Sequence, residues 1–405
     1  MTEEPCKVLI SSNVDVLTGL LEEFRPCFSK PQFRNFTTYM LGLIACEGKK
    51  NIDAINRCFM NAKDQSALNR FLTTSPWNLQ RLEEKRLSLA RTRLPASEGS
   101  TGFLIIDDTI NRKTGKHMEE AGYHYDSAEG KAVWGHDIVT THYVNGETEY
   151  PLRLALYIKK ETCFKEQRAF KTKIQLAIEQ LNAFMPPAGT KTVVTYDSWF
   201  FCRQIVEAAA AKGYDWVTQA ESNRIIYCRG KKLNVTELAK SLSGECFKKV
   251  KVKGEAYSLC GFQVWMQKVG DVKLVISKGE GDFHFYVSNR LDWSEKQVLE
   301  AYKVRQSIDV FYRDVKQNLG LEEYQMRRGR GAIIHWHLAF NAYTLLALLR
   351  RSLGKVSHRL ERRLATLGDV CRWVKRQCFR KLVDWLYNKF RHQTKPETIY
   401  RQLKI

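Results

Sequence analysis

Two short runs constrain the fold of this chain more than any other feature. Phe103-Leu-Ile-Ile106 is continuously apolar, the pattern of a strand buried on both faces, and Asp107 and Asp108 follow it directly. Thr192-Val-Val-Thr-Tyr196 reads as another strand, followed at once by Asp197. Alternating segments cover Val133 to Val144 and Tyr150 to Ile158, and a further strand pattern covers Trp216 to Gln219. Helical spacing runs from about Lys165 to Phe184 and from Ser198 to Lys212. Strands interleaved with helices in this order predict a mixed α/β domain. In an open α/β sheet, chemistry gathers outside the carboxyl ends of strands. Acids at the ends of two strands can therefore converge on a hard divalent cation. Taken singly, each acid reads more simply as a cap for the turn or helix that follows it.

The flanking regions have other patterns. Residues from about 13 to 94 repeat apolar positions at helical spacing, as in Phe33 to Phe36 and Tyr39 to Ile44, with Pro76 between two helices. Pro95 to Gly102, rich in Gly and Ser, reads as a boundary. From about 224 to 292, Val250–Val252, Tyr257–Gln267, Val272–Ser277 and Phe283–Val287 predict antiparallel strands with Gly-containing turns, an inserted β subdomain. A helix is expected from Ser294 to Leu319. The division that follows is 1–98 helical, 99–223 core, 224–292 β insertion, 293–350 core resumed, and 351–405 basic and helical.

Charge narrows the partner. The 405 residues hold 65 Lys or Arg against 44 Asp or Glu, a net +21, with ordinary globular hydrophobicity. A disordered chain, a collagen and a coiled-coil rod are excluded. Such an excess attracts polyanions; nucleic acid is the first candidate and an anionic membrane surface the second. Residues 351–405 alone carry 15 Lys or Arg and four acids. Ala332 to Leu349 is interrupted by His335, His337, Asn341 and Thr344 and reads as a buried helix rather than a membrane span. Met1 to Leu20 has no basic segment leading into an apolar run. The eleven cysteines contain no C-x-x-C pair and fit no zinc pattern, so free thiols in a reducing cytoplasm are expected.

The segment from Tyr302 to Lys316 carries further chemistry. At 100° per residue on one helix, Arg305, Asp309 and Lys316 lie about 60°, 20° and 40° from Tyr302, on one narrow face. Val304, Ile308, Phe311, Val315 and Leu319 take the opposite side. By itself such a face is also what a solvated helix with i, i+4 ion pairs shows.

These segments together resemble bacterial insertion-sequence transposases of the DDE group, in the branch with a β insertion and a Tyr-x2-Arg-x3-Glu-x6-Lys helix. Asp107-Asp-Thr109 matches the first motif, Val194-Thr-Tyr-Asp197-Ser-Trp-Phe200 the second, and Tyr302, Arg305, Asp309 and Lys316 hold the third spacing. Glu221-Ser-Asn-Arg224 is similar to the end of the fifth strand in that family. The resemblance covers roughly residues 30 to 350. It departs at Asp309, where the family usually has Glu, one methylene longer. It implies an α/β fold with an RNase H-like mixed sheet core, an inserted antiparallel β subdomain, a helical N-terminal domain and a helical basic C-terminus. It also implies catalysis by Asp107, Asp197 and Asp309 holding two Mg²⁺ or Mn²⁺ ions astride a DNA phosphate. Asp107 is preferred to Asp108, which points to the other face if the strand continues.

The same resemblance assigns Tyr302, Arg305 and Lys316 to DNA phosphates. Arg327, Arg328 and Arg330 follow as a basic turn or a backbone grip, and Arg70, Arg81, Lys85, Arg86, Arg91 and Arg93 as candidates for reading terminal inverted repeats. Trp265 and Trp293 are core residues or platforms for a flipped base. The implied partners are double-stranded DNA, at terminal repeats and target, and a second copy of the chain or a larger synaptic complex, with no membrane. The implied location is bacterial cytoplasm, at the nucleoid. A transposase-derived DNA-binding protein without catalysis and a two-metal nuclease on the same core are the competing readings.

Overall fold

The computed structural model describes residues 9–11, 14–60, 64–356 and 364–403. Five helices come first: α1 (Asp15–Glu22), α2 (Lys30–Ala45), α3 (Ile52–Arg57), α4 (Gln65–Thr73) and α5 (Leu79–Arg93). Strands β1 (Thr101–Arg112), β2 (Gly122–Asp126), β3 (Lys131–Asn145) and β4 (Thr148–Tyr157) follow. Then come α6 (Lys160–Lys165), α7 (Lys173–Asn182), β5 (Lys191–Tyr196), α8 (Arg203–Ala211) and β6 (Asp215–Ala220). Strands β7 (Ile225–Cys228) and β8 (Lys231–Asn234), helix α9 (Val235–Lys240), and strands β9 (Lys248–Val252), β10 (Glu255–Met266), β11 (Gly270–Lys278) and β12 (Phe283–Ser288) make the antiparallel region. The chain ends with α10 (Glu295–Lys303), α11 (Gln306–Leu319), α12 (Gly329–Val356), α13 (Leu367–Arg391) and α14 (Pro396–Leu403). Positions 359, 362, 363 and 404 of the basic C-terminal region lie outside the described residues.

The chain divides into two compact units. Unit 1 comprises Met1–Leu94, Asn111–His136 and Tyr312–Ile405; unit 2 comprises Pro95–Ile110 and Asp137–Phe311. In unit 2 the strand order is β3-β1-β5-β6-β12-β11-β10-β7-β8, with β4 paired to β3 and β9 to β10. β1, β5 and β6 are parallel, in register Phe103↔Val193 and Val193↔Asp215. The antiparallel strands do not form a sheet of their own. β12 pairs with β6, so they extend the same sheet. Val193, Val217, Leu259, Val275 and Tyr286 from the sheet and Val298, Leu299 and Ala301 from α10 share one buried cluster. That cluster fixes α10 against the sheet.

Unit 1 is organised around α12. Trp336, Leu338, Phe340, Leu345 and Leu346 on it are fully buried, and it packs against α2, α4, α5 and α13. Gly329–Gly354 is long and apolar enough to cross a membrane by length and composition, yet 83% of its most apolar window is buried in protein. The ten cysteines among the described residues are all free.

Several expected elements are divided. The helix expected over 294–319 is two helices, broken at Val304 and Arg305. The amides of Arg305, Ser307 and Ile308 bond three residues back, to Tyr302, Val304 and Arg305, so the chain tightens into turns between α10 and α11. No Pro or Gly marks the break. The helix expected from Lys165 starts at Lys173, where Thr172 and Gln175 form a capping box. The helix expected from Ser198 is a single turn, Ser198–Phe200, followed by α8.

Arg86 is not available to read DNA. It is fully buried, its Nη2 lies 2.6 Å from Glu83 Oε2, and its Nη1 donates to Thr344 Oγ1. Burial raises the Glu83 pKa, but Arg86 and His337 together bring it down to about 2. Replacing Arg86 by Ala leaves a buried carboxylate short of its counter-ion. The expected loss is about 3 kcal/mol of stability, read as a lower midpoint in thermal unfolding at neutral pH; an unchanged midpoint contradicts the pairing.

Candidate active site

β1 continues past its pairing with β5. The parallel register ends at Ile106↔Tyr196, so Asp107 and Asp197 are the next residues on two adjacent strands, at the carboxyl ends of their paired stretch. Because β1 runs on to Arg112, Asp107 and Asp108 alternate across it and find different partners. Arg305 Nη1 donates to Asp107 Oδ2 at 2.9 Å. Lys173 Nζ donates to Asp108 Oδ2 at 2.7 Å and lies 2.5 Å from Asp137 Oδ2.

Asp197 caps the turn that follows it. Its Oδ1 accepts the amides of Trp199 (3.0 Å) and Phe200 (3.2 Å), so the modest role expected of a strand-end acid is real, and Oδ2 takes no part in it. Asp309 is near the start of α11. Its Oδ2 accepts Arg305 Nη2 at 3.2 Å, and its side chain is 53% exposed. The break between α10 and α11 places Arg305 at the junction, where its fork spans Asp107 and Asp309. Tyr302, at the end of α10, donates its hydroxyl to Gln219 Oε1 on β6 at 2.9 Å and rests on the Tyr286 ring.

The electrostatics describe a site with more negative charge than it can hold alone. Burial pushes the Asp107 carboxyl up to about 8, Arg305 opposes the shift, and the charges of Asp197 and Asp108 add to it. Burial also raises Asp197, against its two amide bonds and Arg305. Burial raises Asp309, and Arg305 again opposes. Asp137, fully buried on β3, is pushed up to about 7 by burial and by Asp108, with Lys173 opposing.

Among the described residues no three His, Cys, Asp or Glu side chains form a ready metal cluster. The donor chemistry nevertheless fits a hard divalent ion. Asp107 and Asp197 offer carboxylate oxygens at neighbouring strand ends, and Mg²⁺ commonly binds through one or two carboxylates plus substrate phosphates. The cation that now sits between Asp107 and Asp309 is the Arg305 guanidinium.

Of the remaining expected residues, Lys316 belongs to unit 1 and pairs with Glu322 at 2.7 Å. Arg327, Arg328 and Arg330 also belong to unit 1 and are exposed; Arg330 Nη2 donates to Ser75 O at 2.7 Å. Trp293 packs on the unit 2 core beneath Arg290, whereas Trp265 is half-exposed against Tyr227. Sequence reading missed Lys173 and Asp137. An acid amid the apolar residues of β3 was the available signal for Asp137. Nothing local marked Lys173.

The raised Asp107 pKa has a pH consequence. The folded chain keeps this proton up to about pH 8, whereas the unfolded chain releases it near 3.8. Between those values the folded state binds more protons, so this group's contribution to stability falls as pH rises. Asp107→Asn is therefore expected to flatten the loss of stability between pH 4 and pH 8 in metal-free protein. Parallel curves for the two proteins contradict the assignment.

Comparison with known proteins bears on the family. The model of the DDE superfamily endonuclease family matches residues 23–253, more than half of the chain and a stretch that includes Asp107 and Asp197. The chain is 30% identical over 134 residues to a probable transposase for insertion sequence element IS701 of Microchaete diplosiphon. That match covers 32% of this chain and 34% of the relative, so it spans about a third of the relative's length. A cryo-electron microscopy structure of the piggyBac transposase synaptic complex with hairpin DNA is similar at a TM-score of 0.45 and 14% identity, covering 91% of this chain and 78% of that one. On the extent of the family match, the chain belongs to the DDE superfamily endonucleases.

Proposed function

We propose that the chain is the DNA transposase of an insertion sequence, hydrolysing phosphodiesters at the element's ends and joining those ends to target DNA. The observation that carries this reading is Arg305. One guanidinium contacts both Asp107 and Asp309, 202 positions apart, with Asp197 beside Asp107 on the next strand. The match to a probable insertion-sequence transposase and the net charge of +21 also support it.

In this reading residues 99–223 and 293–350 make the two parts of an RNase H-like core, interrupted by the insertion 224–292. Residues 1–98 bind the element's ends, and 351–405 add basic surface. Asp107, Asp197 and Asp309 are the catalytic ligands of two divalent ions, Mg²⁺ or Mn²⁺. Such ions supply an activated water or 3′-hydroxyl and stabilise the leaving oxygen. Arg305 is the cation placed between two of these acids. Its fork bonds Asp107 and Asp309 in this structure, and were those carboxyls to hold ions it would be free to donate to phosphate oxygens. The Tyr302 hydroxyl, held by Gln219, and Lys316, Arg327, Arg328 and Arg330 provide further phosphate contacts. Double-stranded DNA at terminal repeats and target is the substrate, and a homodimer or larger synaptic complex is the working assembly.

A second reading has one observation behind it. Asp309 is shorter than the family's usual Glu and is already held by Arg305, as in a transposase-derived DNA-binding protein without catalysis. Plasmid DNA carrying the sequences that flank the coding region, incubated with Mg²⁺ or Mn²⁺, separates the two. Nicking at the element's ends is expected from the wild type. Asp107→Asn and Asp197→Asn should each lower it at least about 100-fold while leaving DNA binding intact. Binding without nicking at any metal concentration selects the second reading. Asp309→Glu is expected to keep or raise the nicking rate.

A further inference from the structure

The β2–β3 hairpin of unit 1 presents an aromatic surface that the catalytic reading does not use. β2 is the first strand in the sheet order, an edge. His124 turns inward and is buried, while its neighbours Tyr123 and Tyr125 point outward, 51% and 70% exposed. Tyr123 lies opposite Trp134 on β3, and the two rings meet edge to face at 5.2 Å. Trp134 is held by its Nε1 bond to Gly115 O at 2.9 Å. Lys116 lies across both rings, with Nζ 4.8 Å from the Tyr123 centroid and 4.9 Å from that of Trp134, and donates to the Tyr123 hydroxyl at 3.0 Å.

By residue, Arg112, Lys116, Lys131, Arg327 and Arg328 outnumber Glu119, Glu120, Asp126 and Glu129 around this ledge by one. Arg112 pairs with Asp126 and Glu129, Lys131 also pairs with Glu129, and Glu119 Oε2 accepts the Gly329 amide. The Glu119 amide bonds the Arg327 carbonyl at 2.9 Å, which ties the exposed Arg327 and Arg328 to the segment leading into β2. Among the described residues Lys116, Arg327 and Arg328 appear in no ion pair. Large rings that cost two dihedral angles each to order, beside unpaired cations, are the composition of a single-strand nucleic-acid platform. Tyr123 and Tyr125 are two residues apart on one strand face, about 6.8 Å along the strand. That is about twice the thickness of a base.

We propose that Tyr123 and Tyr125, with Lys116, form a stacking site for unpaired nucleobases of DNA, and that Arg327 and Arg328 hold the adjoining phosphates. This rests on the DNA-processing reading, since unpaired bases arise where strands are cut or exchanged. The site lies wholly in unit 1 and includes none of the acids of the candidate active site.

The test compares a 30-base-pair duplex of fixed sequence with the same duplex carrying a five-nucleotide single-stranded tail, by fluorescence anisotropy of the full chain at one salt concentration. A 2-aminopurine in the tail reports stacking. The wild type is expected to bind the tailed DNA about tenfold more tightly and to quench the 2-aminopurine. Tyr123→Ala/Tyr125→Ala should abolish both the preference and the quenching and leave blunt-duplex binding unchanged. The corresponding double Phe variant, which keeps the rings, should retain both. Blunt-duplex binding with no preference for the tail, or a preference that survives the double Ala variant, overturns the ledge alone. Binding to neither DNA overturns the DNA reading and the ledge with it. If the double Ala variant changes only the sedimentation mass of the free protein, the rings are a protein contact and the proposal falls.

Discussion

Charge compensation at Arg305 is the constraint on which the candidate site depends. Asp107 and Asp197 leave adjacent parallel strands within one strand spacing of each other, with Asp108 as a further neighbour. Buried like charges at that separation cannot all ionise without a cation close by. Arg305, bonded to Asp107 and Asp309, and Lys173, bonded to Asp108 and Asp137, oppose the cost of burying these carboxyls without cancelling it at Asp107 and Asp137. The adjacent acids of β1 thus enter separate networks, one on each face of the strand. The first network faces the segment that the transposase resemblance singles out, whereas the second is closed by a lysine at the start of α7.

The break between α10 and α11 is the backbone side of the same arrangement. A continuous helix puts Tyr302, Arg305 and Asp309 along one face, as the periodicity suggested. In the fold, α10 is fixed to the sheet by Val298, Leu299 and Ala301, and α11 has its own buried residues in Ile308 and Phe311. Two helices with separately determined packing need not share an axis, and the tight turns at 304–305 absorb the difference. Arg305 sits at that junction. Its contact with Asp107 therefore depends on how both helices pack, which spacing alone does not encode.

Much of the fold was legible because hydrophobic periodicity is a local signal. The strands at 103–106 and 192–196, the antiparallel strands between 250 and 287 and the helices before residue 94 all appear near their expected places. Elements whose limits are set by hydrogen bonds were less legible. Asp197 diverts the chain into a single turn before α8, and the Thr172 capping box delays α7. Arg86 shows the limit for charged residues. Its place in a helix was readable, but its complete burial beside Glu83 was not, since a sequence records that a side chain is charged and not whether it has been paired.

The sequence by itself determined the chemistry on offer: strand-end acids, an Arg and an Asp four apart on a helix, and an excess of positive charge suited to a polyanion. These follow from residue type and short-range spacing, which the chain carries before it folds. Tertiary structure alone decided which acid meets which base, that Asp107 and not Asp108 faces Arg305, and that Lys173 and Asp137 complete a second network. Those outcomes rest on contacts between residues tens to hundreds of positions apart, whose energies depend on burial and distance, and neither quantity exists until the strands and helices have packed.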